Sequence, residues 1–411
     1  MLLPYSSNRP PRNPPITVVL LVLFQFAVFG AIAIGVNSSK STIVMARYVD
    51  FSLVPGSFKW YAPFTYSFLH SSVFHLSINM LFLWVFGSSL EDALNWKKFL
   101  GIYFVSAILT GLLEFGMTMI LPGTDRSVPI VGASGAVSAI LGLFAVRFYR
   151  SKIKFIGLPI QIPSILLLMV VLLSEMGITI YQLATSGFTY TSAHWAHIGG
   201  FMLGMFWAQT SRLFAEGKQE YLNADAQEAM KRGSPMSAIR RWETFLMANP
   251  NDAKAHSELA IALNAAGEGE RSISHSKLAI QQFLKNGLKQ DAINSYIQMQ
   301  SVKGDASLDL KDQFAISSLF EELAQYENSV SAFQKVILKD TVSKEAEMAT
   351  LRIGVIQMNR LKNVKAAEAS LRSFISSYPN SEFRTFATDL LRTSSGSNAS
   401  QVQSDNQQSN K

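Results

Sequence analysis

The sequence predicts an all-α protein in two parts, a six-span transmembrane helical bundle followed by a soluble α-helical repeat domain. Three observations lead there. Residues 1–214 hold only 13 Lys or Arg and 6 Asp or Glu between long apolar runs, the composition of a membrane domain. The rest of the chain carries 23 charges of each sign, so the net charge of +7 resides in the first part. Over 220–392, apolar residues recur at helical spacing with a partial repeat near 34 residues. The expected organisation is a membrane domain over 1–214, a helical repeat domain over 215–392, and a disordered Ser-, Asn- and Gln-rich tail over 393–411.

Apolar spans are placed at roughly 15–36, 73–90, 98–121, 133–149, 159–183 and 192–213. The first is about 21 residues, enough to cross a core of ~30 Å, and no convincing cleavage site follows it. It reads as a retained span rather than a removed signal. The second and fourth are short and rich in polar or small residues. Such spans persist in lipid only when enclosed by other helices or lining water, so they are expected inside the bundle.

Loop charges set the orientation. Arg9, Arg12, Lys97, Lys98, Arg147, Arg150, Lys152, Lys154 and Arg212 fall on one side, against Lys40, Arg47, Lys59 and Arg126 on the other. The positive-inside rule then puts both termini in the cytoplasm. An integral, multi-pass protein of a bacterial inner membrane is expected. The cations flank spans, so nucleic acid is not an expected partner. The chain has no cysteine, which excludes disulfides, thiolate metal sites and a cysteine nucleophile.

The fourth span opens Val131-Gly132-Ala133-Ser134-Gly135-Ala136. A serine between glycines at a helix start lets a substrate backbone approach, and its own N–H lies at the positive helix end. Alone, this pattern more often means close packing. The sixth span reads Ala193-His194-Trp195-Ala196-His197-Ile198-Gly199-Gly200, followed by Gly204, and intramembrane histidines are costly enough to suggest function. At ~100° per residue, Ala193, His197, Gly200 and Gly204 share one stripe. Ser134, Ser138, Gly142 and Ala145 share another. Opposed, these ridges would bring Ser134 and His197 within hydrogen-bond reach, as an activated serine needs. His194 lies a turn further out and ~60° around, so His197 is the preferred base. No acid is evidently placed to complete a metal site with the two histidines, so neither metal nor cofactor is expected.

On the second span His75 and Asn79 share a face and could donate hydrogen bonds to an oxyanion. Interhelical bonding is the structural alternative. His70 lies off that face, where capping or packing is expected. Glu175 is expected to be bundle-facing with a backbone partner, although a gate or water path is another reading. Glu114 lies too near a span end to interpret.

The ordered set His75-x3-Asn79, Gly132-x-Ser134-Gly135 and Ala196-His197-x-Gly199-Gly200-x3-Gly204 resembles the rhomboid protease family, over essentially residues 1–214. Phe64-Thr65, Phe68-Leu69-His70, Phe86-Gly87 and Glu91-Asp92 extend the resemblance. It implies an intramembrane serine endopeptidase that cleaves transmembrane protein substrates in or beside the bilayer. By that resemblance Ser134 is the nucleophile and His197 the general base and acid, without a catalytic Asp. His75 and Asn79, with the Ser134 amide, would stabilise the oxyanion. Two positions depart from the pattern: Tyr61-Ala62 replaces a common Trp-Arg, and Asn95 replaces a common Gly. Neither His-Glu-x-x-His nor paired intramembrane aspartates occur, which disfavours metallo- and aspartyl proteases.

In the tail, Ala238 and Ser272 are 34 apart and precede Trp242 and Ser276 by four. Pro250 closes one unit, and Leu259, Ala260, Leu263 and Gly267 begin another. A weaker pair reads Ile316 to Phe333 and Ile353-Gly354 to Phe374 and Pro379. This resembles tetratricopeptide proteins, with three to five helical pairs; a nonrepetitive bundle is the alternative. Such arrays present a concave surface to a protein or peptide partner. Besides a protease, the sequence admits a catalytically idle rhomboid-like client binder and, on its polar spans alone, a transporter.

Overall fold

Each long apolar run becomes a helix wherever its backbone has no water to bond. A computed structural model describes residues 4–121, 124–185 and 194–392, and the chain divides into two units, Met1–Gln219 and Glu220–Lys411. The tail over 393–411 lies outside the described residues, as does Ala193.

The first unit contains α1 (Ile16–Val36), α2 (Ser41–Phe51), α3 (Ala62–Thr65) and α4 (Val73–Phe82). A π turn, Leu83–Gly87, joins α4 to α5 (Ser88–Leu94), and α6 (Trp96–Ile120), α7 (Ser134–Arg147), α8 (Ser164–Thr185) and α9 (His194–Thr210) follow. Among the described residues, four helical stretches are long and apolar enough to cross a membrane: Ile16–Val36, Val73–Leu94, Trp96–Ile120 and Ser164–Tyr181. At 14 residues α7 is too short to span alone, but every residue from Gly135 to Ala145 is buried. The Val73–Leu94 stretch is more than half buried, unlike the largely exposed Ile16–Val36 and Ser164–Tyr181. The two short polar spans do form the bundle interior.

Part of the expected fifth span is not helix. Strands β1 (Pro4–Ser7), β2 (Lys152–Phe155) and β3 (Leu158–Pro163) form a small antiparallel sheet in that order, and α8 begins only at Ser164. The cause is the alternation Lys152-Ile153-Lys154-Phe155: Ile153 and Phe155 are buried while Lys152 is exposed. The sheet ties the N-terminal segment to the most basic loop. Asn8 reinforces it, its Oδ1 accepting from Ser151 Oγ at 2.6 Å and from the Lys152 N–H at 2.9 Å.

At the same end, the buried Glu91 carboxylate accepts from the N–H groups of Thr17 and Val18, both at 2.9 Å. An acid from another helix thus caps the first turn of α1, where the dipole favours negative charge. Asp92 holds the N–H groups of Arg12 and Asn13 just before it. Asn95 explains its own departure from Gly. Its φ of 67° is a glycine-favouring value, and its side chain caps α6 by accepting from Lys97 and Lys98 N–H.

The opposite end is held by loop-to-loop contacts. Leu53 pairs with Ile130, the Gly56 N–H donates to Arg126 O at 2.7 Å, and the Gly132 N–H donates to Tyr66 O at 3.0 Å. The altered loop keeps its hydrogen bonding: Thr65 Oγ1 donates to Phe51 O at 2.7 Å, and Ala62 is buried.

At Arg212 a positive φ of 58° turns the chain into α10 (Leu213–Lys231), within which the two units divide. The second unit continues with α11 (Pro235–Ala248), α12 (Ala253–Ala265), α13 (Gly269–Lys285), α14 (Lys289–Val302), α15 (Leu310–Glu322), α16 (Tyr326–Lys339), α17 (Lys344–Asn359) and α18 (Val364–Ser377). Tight turns with a left-handed residue recur at Gly233, Gly267, Gly287, Ala324 and Lys362. Gly267 lies 34 residues after Gly233, but α14 and a buried loop at Ala306 and Leu308 stretch the later spacing. That insertion is why the sequence period slips. Pairing is repeated chemically as well: Ser272 Oγ donates to Ala260 O and Ser329 Oγ to Ser317 O, each at 2.8 Å across a helix pair.

Between α12 and α13 the rings of His256 and His275 stack with Nδ1 atoms 2.9 Å apart. Burial, then the neighbouring His256, hold the His275 imidazole below its ordinary value. The folded state therefore binds fewer protons than the unfolded one, and stability is lost as pH falls below ~6.5. Hydrogen exchange corrected for intrinsic rates should show α12 and α13 opening more readily at pH 5.5 than at 7.5, with His275→Gln removing the difference. Ala324 occupies a glycine position, so Ala324→Gly should strengthen protection in α15 and α16 by about 1 kcal/mol. Gly267→Ala should weaken α12 and α13 by a similar amount.

Candidate functional site

The candidate residues converge at the loop-held end of the first unit. Ser134 is the first residue of α7 and is half-buried. The preceding Gly132 has φ +124° and accepts only glycine for a second reason, since a Cβ there would lie 2.8 Å from His75 Cε1 and 3.8 Å from Ser134 Oγ. Gly132 is thus the gap between the His75 ring and the serine hydroxyl.

Helices α7 and α9 pack backbone to backbone. A methyl group on Gly200 would overlap the Gly135 carbonyl and sit 2.9 Å from Ser138 Cβ; one on Gly204 would overlap the Ala139 carbonyl. Gly142 answers from the other helix, its missing Cβ only 2.5 Å from Phe201 O. The two small-residue stripes face each other, which brings the start of α7 beside the first turn of α9, where His197 lies. The Ser134 hydroxyl and the His197 ring are nevertheless not hydrogen-bonded to each other among the described contacts. His197 turns Nδ1 to Glu175 Oε1 at 3.2 Å instead.

On α4, Ser72 caps the helix by accepting from the His75 N–H at 3.1 Å, and Ser71 Oγ meets His75 Nδ1 at 3.2 Å. His70 is a packing residue rather than the cap, its buried ring set edge-on to His75 with centroids 5.1 Å apart. Asn79 is buried one turn below His75, and its Nδ2 has no hydrogen-bond partner among the described residues. A buried amide donor left unpaired costs about 1–3 kcal/mol.

Two acids, Glu114 and Glu175, hold the start of α9. Glu114, buried on α6, accepts from the Ala196 N–H at 2.8 Å and so caps the helix. Glu175 on α8 does not find the expected backbone partner. Its Oε2 meets His194 Nδ1 at 2.6 Å and its Oε1 meets His197 Nδ1 at 3.2 Å. The acid thought to be missing beside the histidine pair is therefore present, and the three donor groups lie within 4.8 Å of one another. Each oxygen, however, is given to one ring, the pattern of a double hydrogen-bond acceptor. An intramembrane carboxylate with no cation in its own span is the signal that could have pointed to such partners.

With that geometry in view, residues 57–213 match the rhomboid domain and residues 348–381 match a tetratricopeptide repeat. The chain thus carries a rhomboid domain in its membrane unit and a tetratricopeptide repeat in its second. Relatives include the mitochondrial presenilin-associated rhomboid-like protein of Mus musculus, 30% identical over 28% of this chain and 30% of that protein. Another is the mitochondrial rhomboid protein 1 of Saccharomyces cerevisiae, 31% identical over 38% of this chain and 44% of its own. The rhomboid protease GluP of Bacillus subtilis is 22% identical over 80% of this chain and 55% of its own. The chain therefore spans less than a third of the mouse relative and about half of the bacterial one. Because mitochondrial and bacterial proteins both match, the relatives do not favour a bacterial inner membrane. A solved tetratricopeptide repeat protein from Parabacteroides merdae aligns with 44% of this chain and 75% of its own at 15% identity and a TM-score of 0.22, too slight a likeness to build on.

The glycine ridge gives a direct test. Gly204→Ala must force α7 and α9 apart and should destabilise the purified protein by about 1–3 kcal/mol in thermal or denaturant unfolding. Gly116→Ala on α6, where a methyl meets nothing within 4 Å, should cost nothing. Equal stability of the two variants would contradict the ridge contact.

Proposed function

We propose that the first unit is an intramembrane serine endopeptidase acting on transmembrane-helix substrates. In this reading Ser134 attacks the scissile carbonyl. His197 takes the hydroxyl proton and returns it to the leaving amine. The tetrahedral oxyanion is held by the Ser134 amide at the positive end of α7, by His75 across Gly132, and by the Asn79 amide.

The observation that carries this reading is the unpaired Asn79 amide, buried one turn from a His75 ring that reaches the serine's neighbour Gly132. A donor kept at that cost suits an acceptor that exists only during reaction. The lack of a hydrogen bond between the Ser134 hydroxyl and His197 among the described contacts fits a site whose hydrogen bonds tighten once substrate is bound. That same lack is what favours a second reading, a catalytically idle rhomboid-like protein that holds membrane clients.

The placement within the membrane follows from charge. The end carrying β1, β2 and the Arg147–Lys154 cations is taken as cytoplasmic, so the candidate site opens near the outer surface. The second unit, as a tetratricopeptide-type array, is proposed to bind a protein or peptide partner on its concave face and so recruit substrates. The surrounding bilayer is the other partner.

Cleavage of a single-span test substrate in liposomes separates the readings. Ser134→Ala should abolish product, whereas Asn79→Ala should lower kcat by about 10²–10³-fold without eliminating it. Product formed equally by the Ser134 variant would remove the protease assignment.

A further inference from the structure

The proposed mechanism leaves the carboxylate beside its general base without a task. Glu175 sits on α8, half-buried, with its two carboxylate oxygens divided between the imidazoles of His194 and His197. In a low-dielectric bundle such a carboxylate is expensive unless its lone pairs are filled, and here both are filled by rings from a single helix. Nδ1 of His197 faces Oε1, so in the neutral ring the proton belongs on Nδ1 and the lone pair on Nε2. That is the tautomer a serine base requires.

We propose that Glu175 is the positioning residue for His197, making the site a Ser134–His197–Glu175 relay rather than an unassisted pair. The inference rests on the protease reading of Ser134 and His197. His194 has a stated part in it: by donating from Nδ1 to Oε2 at 2.6 Å it fixes the carboxylate's rotation, so that Oε1 is aimed at His197. Glu114 does the same for the backbone, holding the Ala196 N–H immediately before His197.

The chemistry balances without any further reactant. As Ser134 Oγ bonds the substrate carbonyl carbon, its proton passes to His197 Nε2, and the resulting imidazolium keeps its Nδ1–H on the Glu175 carboxylate. The Nε2 proton then goes to the amine as the C–N bond breaks. Water then gives a proton to Nε2 as its oxygen bonds the acyl carbon, and that proton passes to Ser134 Oγ as the Oγ–C bond breaks and the new carboxyl terminus leaves. Glu175 stays ionised throughout.

A metal centre made from the same three groups is the competing arrangement. It is less well supported, because a shared ion would draw the donors around one point, whereas here each oxygen is paired with a separate nitrogen at hydrogen-bond length.

The test uses the full-length protein in liposomes with a single-span substrate and compares Glu175→Gln, Glu175→Asp and the unaltered chain. Glu175→Gln should lower kcat by about 10²-fold or more with KM nearly unchanged, and Glu175→Asp should recover about tenfold of that. Nitrogen-15 imidazole spectra of the Ser134→Ala protein, assigned with His197→Gln, read the same contact without proteolysis. They should show His197 with its proton on Nδ1, and that preference should be lost in Glu175→Gln. Cleavage by Glu175→Gln within twofold of the unaltered chain, or an unchanged His197 spectrum, would overturn the proposal. So would stoichiometric zinc binding whose removal by a chelator stops cleavage. If the unaltered chain cleaves nothing, the protease reading fails alone and the spectra still decide the Glu175–His197 contact.

Discussion

The backbone contact between α7 and α9 is the constraint on which the rest of the membrane unit depends. Lipid gives helices no hydrophobic reason to associate, so close approach must come from shape, and glycine is the only residue that permits it here. Gly200 and Gly204 leave room for the carbonyls of Gly135 and Ala139, and Gly142 leaves room for that of Phe201. A 14-residue helix that cannot cross a bilayer alone is thereby sheathed by longer neighbours. Its first residue, Ser134, ends up inside the bundle, below the end where the loops close over.

Once α9 is that near, its own N-terminus becomes a problem of charge and unpaired amides, and two acids, one buried and one half-buried, solve it. Glu114 takes the backbone N–H of Ala196, and Glu175 takes the imidazoles of His194 and His197. The same device appears at the other end, where Glu91 takes two amides of α1. Acids placed on helix starts by neighbouring helices are a recurring answer in this fold, since each puts a negative charge where a dipole welcomes it and fills lone pairs that water cannot reach. The site end also holds a costly feature, the Asn79 amide that has no partner among the described residues.

Much of this was legible in the sequence because it depends on short spacings. Four residues set His75 above Asn79, and a 100° step aligns His197, Gly200 and Gly204, so one helix's geometry suffices to place them. The acids were not legible for the converse reason. Glu114 and Ala196 are 82 positions apart, and Glu175 and His197 are 22 apart on different helices, so their meeting is a fact of tertiary packing. The β1–β2–β3 sheet was hidden by a different competition: its four cations read as a topology signal, and the Lys-Ile-Lys-Phe alternation beneath it is only four residues long. Asn95 looked like an imperfection in the pattern and is instead a cap made by the one side chain that tolerates the turn and feeds α6. In the second unit the 34-residue period was visible where Ala238 and Ser272 mark it, and faded where Ala324 and Lys362 take the glycine position.

Because the sequence contains no cysteine, an introduced pair is the only one that can cross-link. The Cβ of Ala196 lies 3.5 Å from where a side chain on Gly135 would begin, within the range of a disulfide, but that side chain would also overlap Thr110. In a Thr110→Gly background, a Gly135→Cys, Ala196→Cys chain in native membranes, treated with a mild oxidant, should form an intramolecular cross-link nearly to completion. The reduced form should reappear with dithiothreitol. A folded double variant that stays fully reduced under conditions that link a known adjacent pair would contradict the approach of α7 to α9, and with it the site built on that approach.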